Sequence, residues 1–256
     1  MFNFWGILPA NAATPTGVLN VIKSQENTQE WTEITKRLQT VGAKYCVIPL
    51  ANIKNVEDLG QQRVLLLPNV ETLTASQAMV LQEWMSRGGR LIASGPVGNL
   101  SSLGVRQALR NMLGGYWGFN LNDIQELQSA KTNTQAWANQ TELFGKVLGA
   151  VMIADNPQTQ TSAVWNSQNQ SAAILTTERS TFLGWRWGTD KNSTTELDTA
   201  WLKALLNNYL KLATKPEVSP AQKCPPSSIN ITLIKPTAIS NTNSRQPINQ
   251  PRKVTV

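Results

Sequence analysis

The chain has 256 residues, a formal net charge of +7 and only 15% charged residues. It contains no histidine, which excludes a Ser-His-Asp triad, a Cys-His pair, an HExxH zinc site and histidine-ligated haem. Two cysteines, Cys46 and Cys224, are too few for an all-cysteine zinc site, so we expect no metal and no cofactor. An apolar content of 41% is enough to build a folded core.

The amino terminus, residues 1–13, is interpreted as an apolar arm or a truncated signal peptide. An apolar run from Phe2 to Leu8 precedes Ala10-Asn11-Ala12, which matches the small-residue pattern of signal cleavage sites. The charged segment that opens a complete signal is missing, because no lysine or arginine precedes Lys23. We expect an exported protein, periplasmic or extracellular, without a transmembrane segment.

Strand and helix patterns alternate through the first half of the chain. Thr74 and Gln77 match a capping box, and Gly88-Gly89 is typical of a helix end. The predicted strands are 18–22, 45–48, 63–68 and 90–94, and the predicted helices begin at Asn27, at Thr74 and at Ser101 or Ser102. This alternation predicts a parallel sheet with helices on both faces, whose ligands bind at the carboxyl ends of the strands.

The second half carries shorter patterns that extend this sheet. The predicted strands are 146–153, 163–165, 172–176 and 181–187, and the last two are expected to form a hairpin. A final helix is expected from Thr195, with Asp198 in its first turn. Its predicted buried face consists of Leu197, Trp201, Leu205, Tyr209 and Leu212.

We divide the chain into the arm at 1–13, an α/β domain at 14–214 and a tail or linker at 215–256. The tail is rich in Pro, Asn, Ser and Thr and carries most of the positive charge, and its composition predicts disorder, although the apolar run 229–234 could add one strand. A disulfide between Cys46 and Cys224 would require the tail to fold back onto the domain, so we expect none. Because the charge of the tail is not interleaved with aromatic residues on a folded face, we expect no nucleic-acid partner.

The segment VLLLPNVETLTASQAMVLQEWMSRGGRLIASGP, residues 64–96, resembles class I glutamine amidotransferase-like domains. The similarity is greatest to non-catalytic versions that are attached to glycoside hydrolases. Residues 18–212, including the tryptophan-rich segment 182–188, look like the amino-terminal module of cyanobacterial secreted proteins that continue into a glycosyl-hydrolase-like barrel. The resemblance implies a flavodoxin-like α/β fold, with the Pro-rich tail as the linker to such a barrel.

The amidotransferase chemistry does not carry over to this sequence. In that family a cysteine nucleophile follows the strand that Leu91-Ile92-Ala93 matches, and its base is a histidine. Here Ser94 stands in that position, no histidine is present, and no lysine lies at the spacing that would activate a serine. We therefore expect no catalytic residues and interpret Ser94 as a degenerate nucleophile position.

Two groups of residues remain as candidate binding sites. Asn52, Asn69, Glu71 and Ser94 follow predicted strands and could form a ligand rim. Glu26 and Asp123 could join Glu71 as a hydrolytic carboxylate pair, although their spacing does not show that they converge. Trp117, Trp137 and Trp165 lie in irregular polar segments and could stack on sugar rings, whereas Trp185 and Trp187 are expected to be core.

The sequence is thus interpreted as a catalytically silent accessory or interaction module of an exported, glycan-acting protein. Its expected partners are a polysaccharide or a following glycosyl-hydrolase-like domain. Two alternatives stay open: hydrolysis of envelope polysaccharide by this chain, and a small-ligand sensor that uses the strand-end crevice.

Overall fold

The computed structural model describes residues 18–131, 135–167, 169–189, 193–211 and 224–229. The strands are β1 Val18–Lys23, β2 Lys44–Pro49, β3 Val64–Pro68, β4 Arg90–Ser94, β5 Gly115–Asn120, β6 Gln125–Ser129, β7 Lys146–Val147, β8 Ala150–Ala154, β9 Gln160–Trp165, β10 Ala172–Thr176 and β11 Ser180–Leu183. The α-helices are α1 Trp31–Val41, α2 Ala75–Ser86, α3 Leu103–Leu113 and α4 Thr195–Lys211. The arm at 1–13, Leu212 and the tail apart from 224–229 lie outside the described residues.

In the part of the chain that the structure describes, one sheet of nine strands has the order β2-β1-β3-β4-β11-β10-β9-β6-β7. The pairs from β2 to β11 are parallel, and those from β11 to β7 are antiparallel. Strands β5 and β8 form a separate antiparallel pair. The predicted α/β fold is confirmed, as is the β10–β11 hairpin. Within the described residues, none of the helices is long and apolar enough to span a bilayer.

Local sequence signals explain the ends of several elements. Thr74 caps α2 in the predicted capping box, with reciprocal bonds between the Thr74 and Gln77 side chains and backbone amides. Gly42 ends α1 at φ 71°, a conformation that glycine adopts without a Cβ penalty. Strand β3 is buried throughout, as a central parallel strand is expected to be.

Two predictions about local structure differ from the fold, and two strands were not predicted. Asn27 does not cap α1, which begins at Trp31; the buried Asn27 amide donates instead to the carbonyls of Ile22 and Pro68. The strand predicted over 146–153 is split into β7 and β8, and a Cβ at Gly149 would lie 2.3 Å from a backbone oxygen. Strands β5 and β6 were not predicted, because they are partly exposed and lack an apolar period.

Two apolar clusters cover the two faces of the sheet. One contains buried residues of α1 and α4, and the other contains buried residues of α2 and α3, so helices lie on both faces as predicted. Trp165, Trp185, Trp187 and Trp201 are all in the first cluster and almost fully buried. The prediction that Trp185 and Trp187 are core residues is confirmed.

The expectation that Cys46 and Cys224 stay unpaired is wrong, because they form a disulfide. Strand β2 is an edge strand, and residues 224–229 lie beside it. The Ile229 amide donates to the Val47 carbonyl at 2.8 Å, and Ile229 is the one residue of the apolar run 229–234 that the structure describes. This contact could not be predicted from the sequence, because the two cysteines are 178 positions apart. No local pattern near Cys224 indicates that the tail packs beside β2.

We expect reduction of this disulfide to lower the free energy of unfolding by about 2–4 kcal/mol, the usual range for a native bridge. The bridge joins residues 178 positions apart, so it removes many conformations from the unfolded chain. Denaturant unfolding with and without reductant measures the difference. Cys224→Ser is the control, because reductant should leave its stability unchanged; equal stability of the oxidised and reduced wild-type chain would contradict the expectation.

Candidate functional site at the carboxyl end of the sheet

Ser94, at the end of β4, occupies the position at which the resemblance places a nucleophile. Its side chain is fully buried, and its Oγ lies 3.5 Å from Oδ1 of Asn69. Gly95 follows at φ 74°, and its amide donates to the Trp185 carbonyl at 2.8 Å. A Cβ at Gly95 would lie 2.8 Å from Asn69 Oδ1, so the turn needs a glycine. The serine hydroxyl therefore faces an amide side chain and not solvent.

Asn69, directly after β3, holds this end of the sheet together. It is fully buried and adopts φ 54°, a left-handed conformation that asparagine tolerates better than most residues. Its Nδ2 donates to the Trp187 carbonyl at 2.8 Å, and its Oδ1 accepts from the Trp187 amide at 3.0 Å. Asn69 is thus a structural bridge between β3 and the segment after β11, not an exposed rim residue.

The other two predicted rim residues are also engaged in contacts. Glu71 forms an ion pair with Arg186, and both side chains are partly exposed. Asn52 is exposed and donates from Nδ2 to the Ser227 carbonyl at 2.9 Å, which helps to attach the 224–229 segment. The predicted rim is therefore corrected: Asn69 and Ser94 are buried together, whereas Glu71 and Asn52 make separate contacts.

An open cavity of about 490 Å³ lies beside the carboxyl ends of β1 and β2. Lys23 and Glu26 contribute charge, and Pro49, Leu50 and Ile229 contribute apolar surface. The Lys23 ammonium lies 5.1 Å from the Trp31 ring centroid, a distance at which cation–π attraction operates. Because Ile229 lines the cavity, the disulfide-linked segment forms part of its wall.

The predicted stacking role of the three irregular-segment tryptophans is largely contradicted. Trp165 is fully buried and donates from Nε1 to the Ala150 carbonyl at 2.9 Å. Trp117 is 8% exposed, and Trp137 is partly buried with its ring edge-on to Trp201 at 6.2 Å. Irregular, polar neighbours do not place an indole on the surface, since the large apolar ring is favoured inside.

Arg37 and Asp198 form a buried ion pair that was not predicted from the sequence. Arg37 Nε donates to Asp198 Oδ2 at 2.7 Å, and both side chains are fully buried. Asp198 also accepts from Ser193 Oγ, the Gly188 amide and Trp185 Nε1. Burial raises the pKa of Asp198, while these hydrogen bonds and the Arg37 charge act against the rise.

A signal for this pair is present in the chain. Arg37 lies at helical spacing with Ile34, Leu38 and Val41, which form the buried face of α1. A charged residue on an apolar face requires a buried partner, and the partner is a residue of the first turn of α4. In the described part of the chain, no three His, Cys, Asp or Glu side chains are grouped as metal ligands would be.

Solved structures of low sequence identity share this fold. A putative ThuA-like protein from Bacteroides uniformis is similar over 79% of this chain and 95% of its own, at 13% identity and a TM-score of 0.57. A putative GMP synthase component from Thermoplasma acidophilum is similar over 77% of this chain and 96% of its own, at 8% identity and a TM-score of 0.53. The fold is therefore that of class I glutamine amidotransferase-like domains.

A GH42 β-galactosidase from G. stearothermophilus contains a similar domain. The similarity covers 77% of this chain and 30% of the β-galactosidase chain, at 11% identity and a TM-score of 0.57. This chain thus corresponds to less than a third of that enzyme. No protein-family model matches the chain, and no curated protein matches its sequence.

Proposed function

We propose that this chain is a catalytically silent, amidotransferase-like module that accompanies an exported, glycan-acting protein. The observation that carries the first part is the burial of Ser94 against Asn69, with no histidine in the chain to act as its base. A serine hydroxyl needs both an adjacent base and access to substrate. Neither is provided at this position.

The proposed association with glycans is supported by the proteins in which similar domains occur. Similar domains form about 30% of the GH42 β-galactosidase chain and 32% of an α-L-fucosidase from Paenibacillus thiaminolyticus. In both cases the similar part is one region of a larger glycosidase. This supports a role beside a glycosyl-hydrolase-like domain or on a polysaccharide.

Export is supported by the Cys46–Cys224 disulfide, because such bridges persist mainly in oxidising compartments. The bridge connects the domain to residues just before the Ile229 contact, and the Pro-rich sequence continues beyond it. We propose that residues 230–256 link this module to its partner domain.

Glutamine hydrolysis tests catalytic silence. We expect no ammonia release above the buffer blank from the wild-type chain or from Ser94→Cys, because a thiol at this buried position would still lack its histidine base. Both proteins should unfold cooperatively, which shows that the negative result comes from folded protein. Turnover by the wild type that disappears in Ser94→Ala would contradict the proposal.

The cavity beside β1 and β2 favours a second candidate, a small-ligand sensor. A pocket of about 490 Å³ is within the roughly 300–1,000 Å³ range of small-molecule sites. Its position at the carboxyl ends of parallel strands is where α/β sheets commonly bind ligands. Binding of a metabolite that is lost in Lys23→Gln and kept in Lys36→Gln would favour the sensor.

A further inference from the structure

A second cavity, of about 220 Å³, lies between α3 and β5. Apart from Trp117, the residues that line it belong to none of the candidate sites described above. Its lining is mixed, and the almost fully buried side chains of Leu109, Leu113 and Phe182 form a small apolar floor. Asn99 and two arginines supply its polar surface. The volume is below the usual range for drug-sized ligands, so the cavity suits one small ring and not an extended chain.

The two arginines, Arg106 and Arg110, are four residues apart on α3 and therefore lie on the same face of the helix. The Arg110 guanidinium is held 3.9 Å from the Tyr116 ring centroid and lies 3.8 Å from a carboxylate oxygen of Asp155. Arg106 is exposed and has no carboxylate within ion-pair distance among the described residues. Two cations thus line the cavity, and the Asp155 carboxylate that pairs with Arg110 is not among the lining residues.

Trp117 lies in the wall of the cavity but offers a ligand little surface and no hydrogen bond. It is 8% exposed, and its Nε1 already donates to Asn120 Oδ1 at 2.8 Å. The cavity therefore combines a small apolar floor with one amide and two guanidinium groups. That combination matches a ligand with an apolar ring face, polar hydroxyls and one anionic group.

We propose that this cavity binds an acidic sugar residue, a uronic acid, with its carboxylate at Arg106 and Arg110. The sugar ring sits over the small apolar floor of the cavity, and the Asn99 side chain bonds a hydroxyl. Guanidinium–carboxylate pairs are among the strongest hydrogen bonds available to a protein and match the planar carboxylate. The inference rests on the proposed function, since it names the glycan class that this module recognises.

Titration with galacturonate, galactose and acetate tests the site. Binding is monitored through the NMR signals of the Trp117 indole and the arginine Nε–H groups. We expect galacturonate to bind at least about tenfold more tightly than either other ligand, because each lacks one half of the recognised chemistry. Arg106→Gln should weaken galacturonate binding about tenfold, the loss expected for one charge-assisted hydrogen bond. Arg63→Gln is the matched control, an exposed arginine outside this cavity, and should bind as the wild type does.

Three results would overturn the inference: no binding of galacturonate, equal binding of acetate, or equal weakening by Arg63→Gln. The proposed function is tested separately by retention on polysaccharide. Loss of galacturonate binding with retention intact would remove only this site. Absence of retention by the wild type would remove the proposed binding to polysaccharide itself.

Discussion

Replacement of Trp185 with alanine is expected to lower the free energy of unfolding by about 3–5 kcal/mol, as removal of a large buried aromatic does. Trp185 is fully buried, packs edge-on to Trp201 at 6.2 Å and donates from Nε1 to Asp198 Oδ1 at 2.9 Å. The substitution leaves a cavity and removes one donor from a buried carboxylate. Denaturant unfolding monitored by circular dichroism measures the loss.

Trp31→Ala is the matched control, because Trp31 is only partly buried and lies at the start of α1. Its replacement should cost clearly less than that of Trp185. A stable Trp185→Ala protein that no longer binds polysaccharide would show instead that Trp185 serves binding, and would contradict its assignment to the core.

The second large effect is expected for Asp198→Ala, which should also lower the free energy of unfolding by about 3–5 kcal/mol. The change leaves the buried Arg37 guanidinium without its main carboxylate and removes the acceptor of Ser193, Gly188 and Trp185. An uncompensated buried charge and unpaired buried donors are both costly.

Glu33→Ala separates this effect from surface electrostatics. Glu33 also pairs with Arg37, at 2.8 Å, but its side chain is 28% exposed, so its removal should cost no more than about 1 kcal/mol. Replacing the pair by Arg37→Met and Asp198→Leu together should recover part of the loss from Asp198→Ala, because no charge is left buried. A cost for Asp198→Ala no larger than that for Glu33→Ala would contradict the account.

The parts of the fold that follow from local chemistry were predictable. Strand β4 and the α2 capping box appear where the sequence placed them, because apolar runs and cap residues act over a few positions. Strands β5 and β6 and the Cys46–Cys224 bridge were not, since they depend on contacts between distant segments. The insertion of β11 beside β4 likewise depends on tertiary packing.

The candidate site was predictable in position but not in detail. Ser94 could be placed at a strand end from the residues that precede it. Its burial under Asn69 could not, because the Asn69–Trp187 bonds join residues 118 positions apart. Trp117 and Trp165 show the same limit: their polar neighbours in the sequence did not reveal that both rings are buried.

Catalytic silence and polysaccharide binding can be measured together by incubating the wild-type chain with an insoluble, uronate-containing polysaccharide. Bound protein and newly formed reducing ends are measured in the same sample. A silent accessory module predicts retention of the protein without new reducing ends. Reducing ends that form in proportion to the wild-type chain and disappear with Glu71→Gln would show that the chain is itself the hydrolase. Failure of the protein to be retained would contradict its binding to polysaccharide.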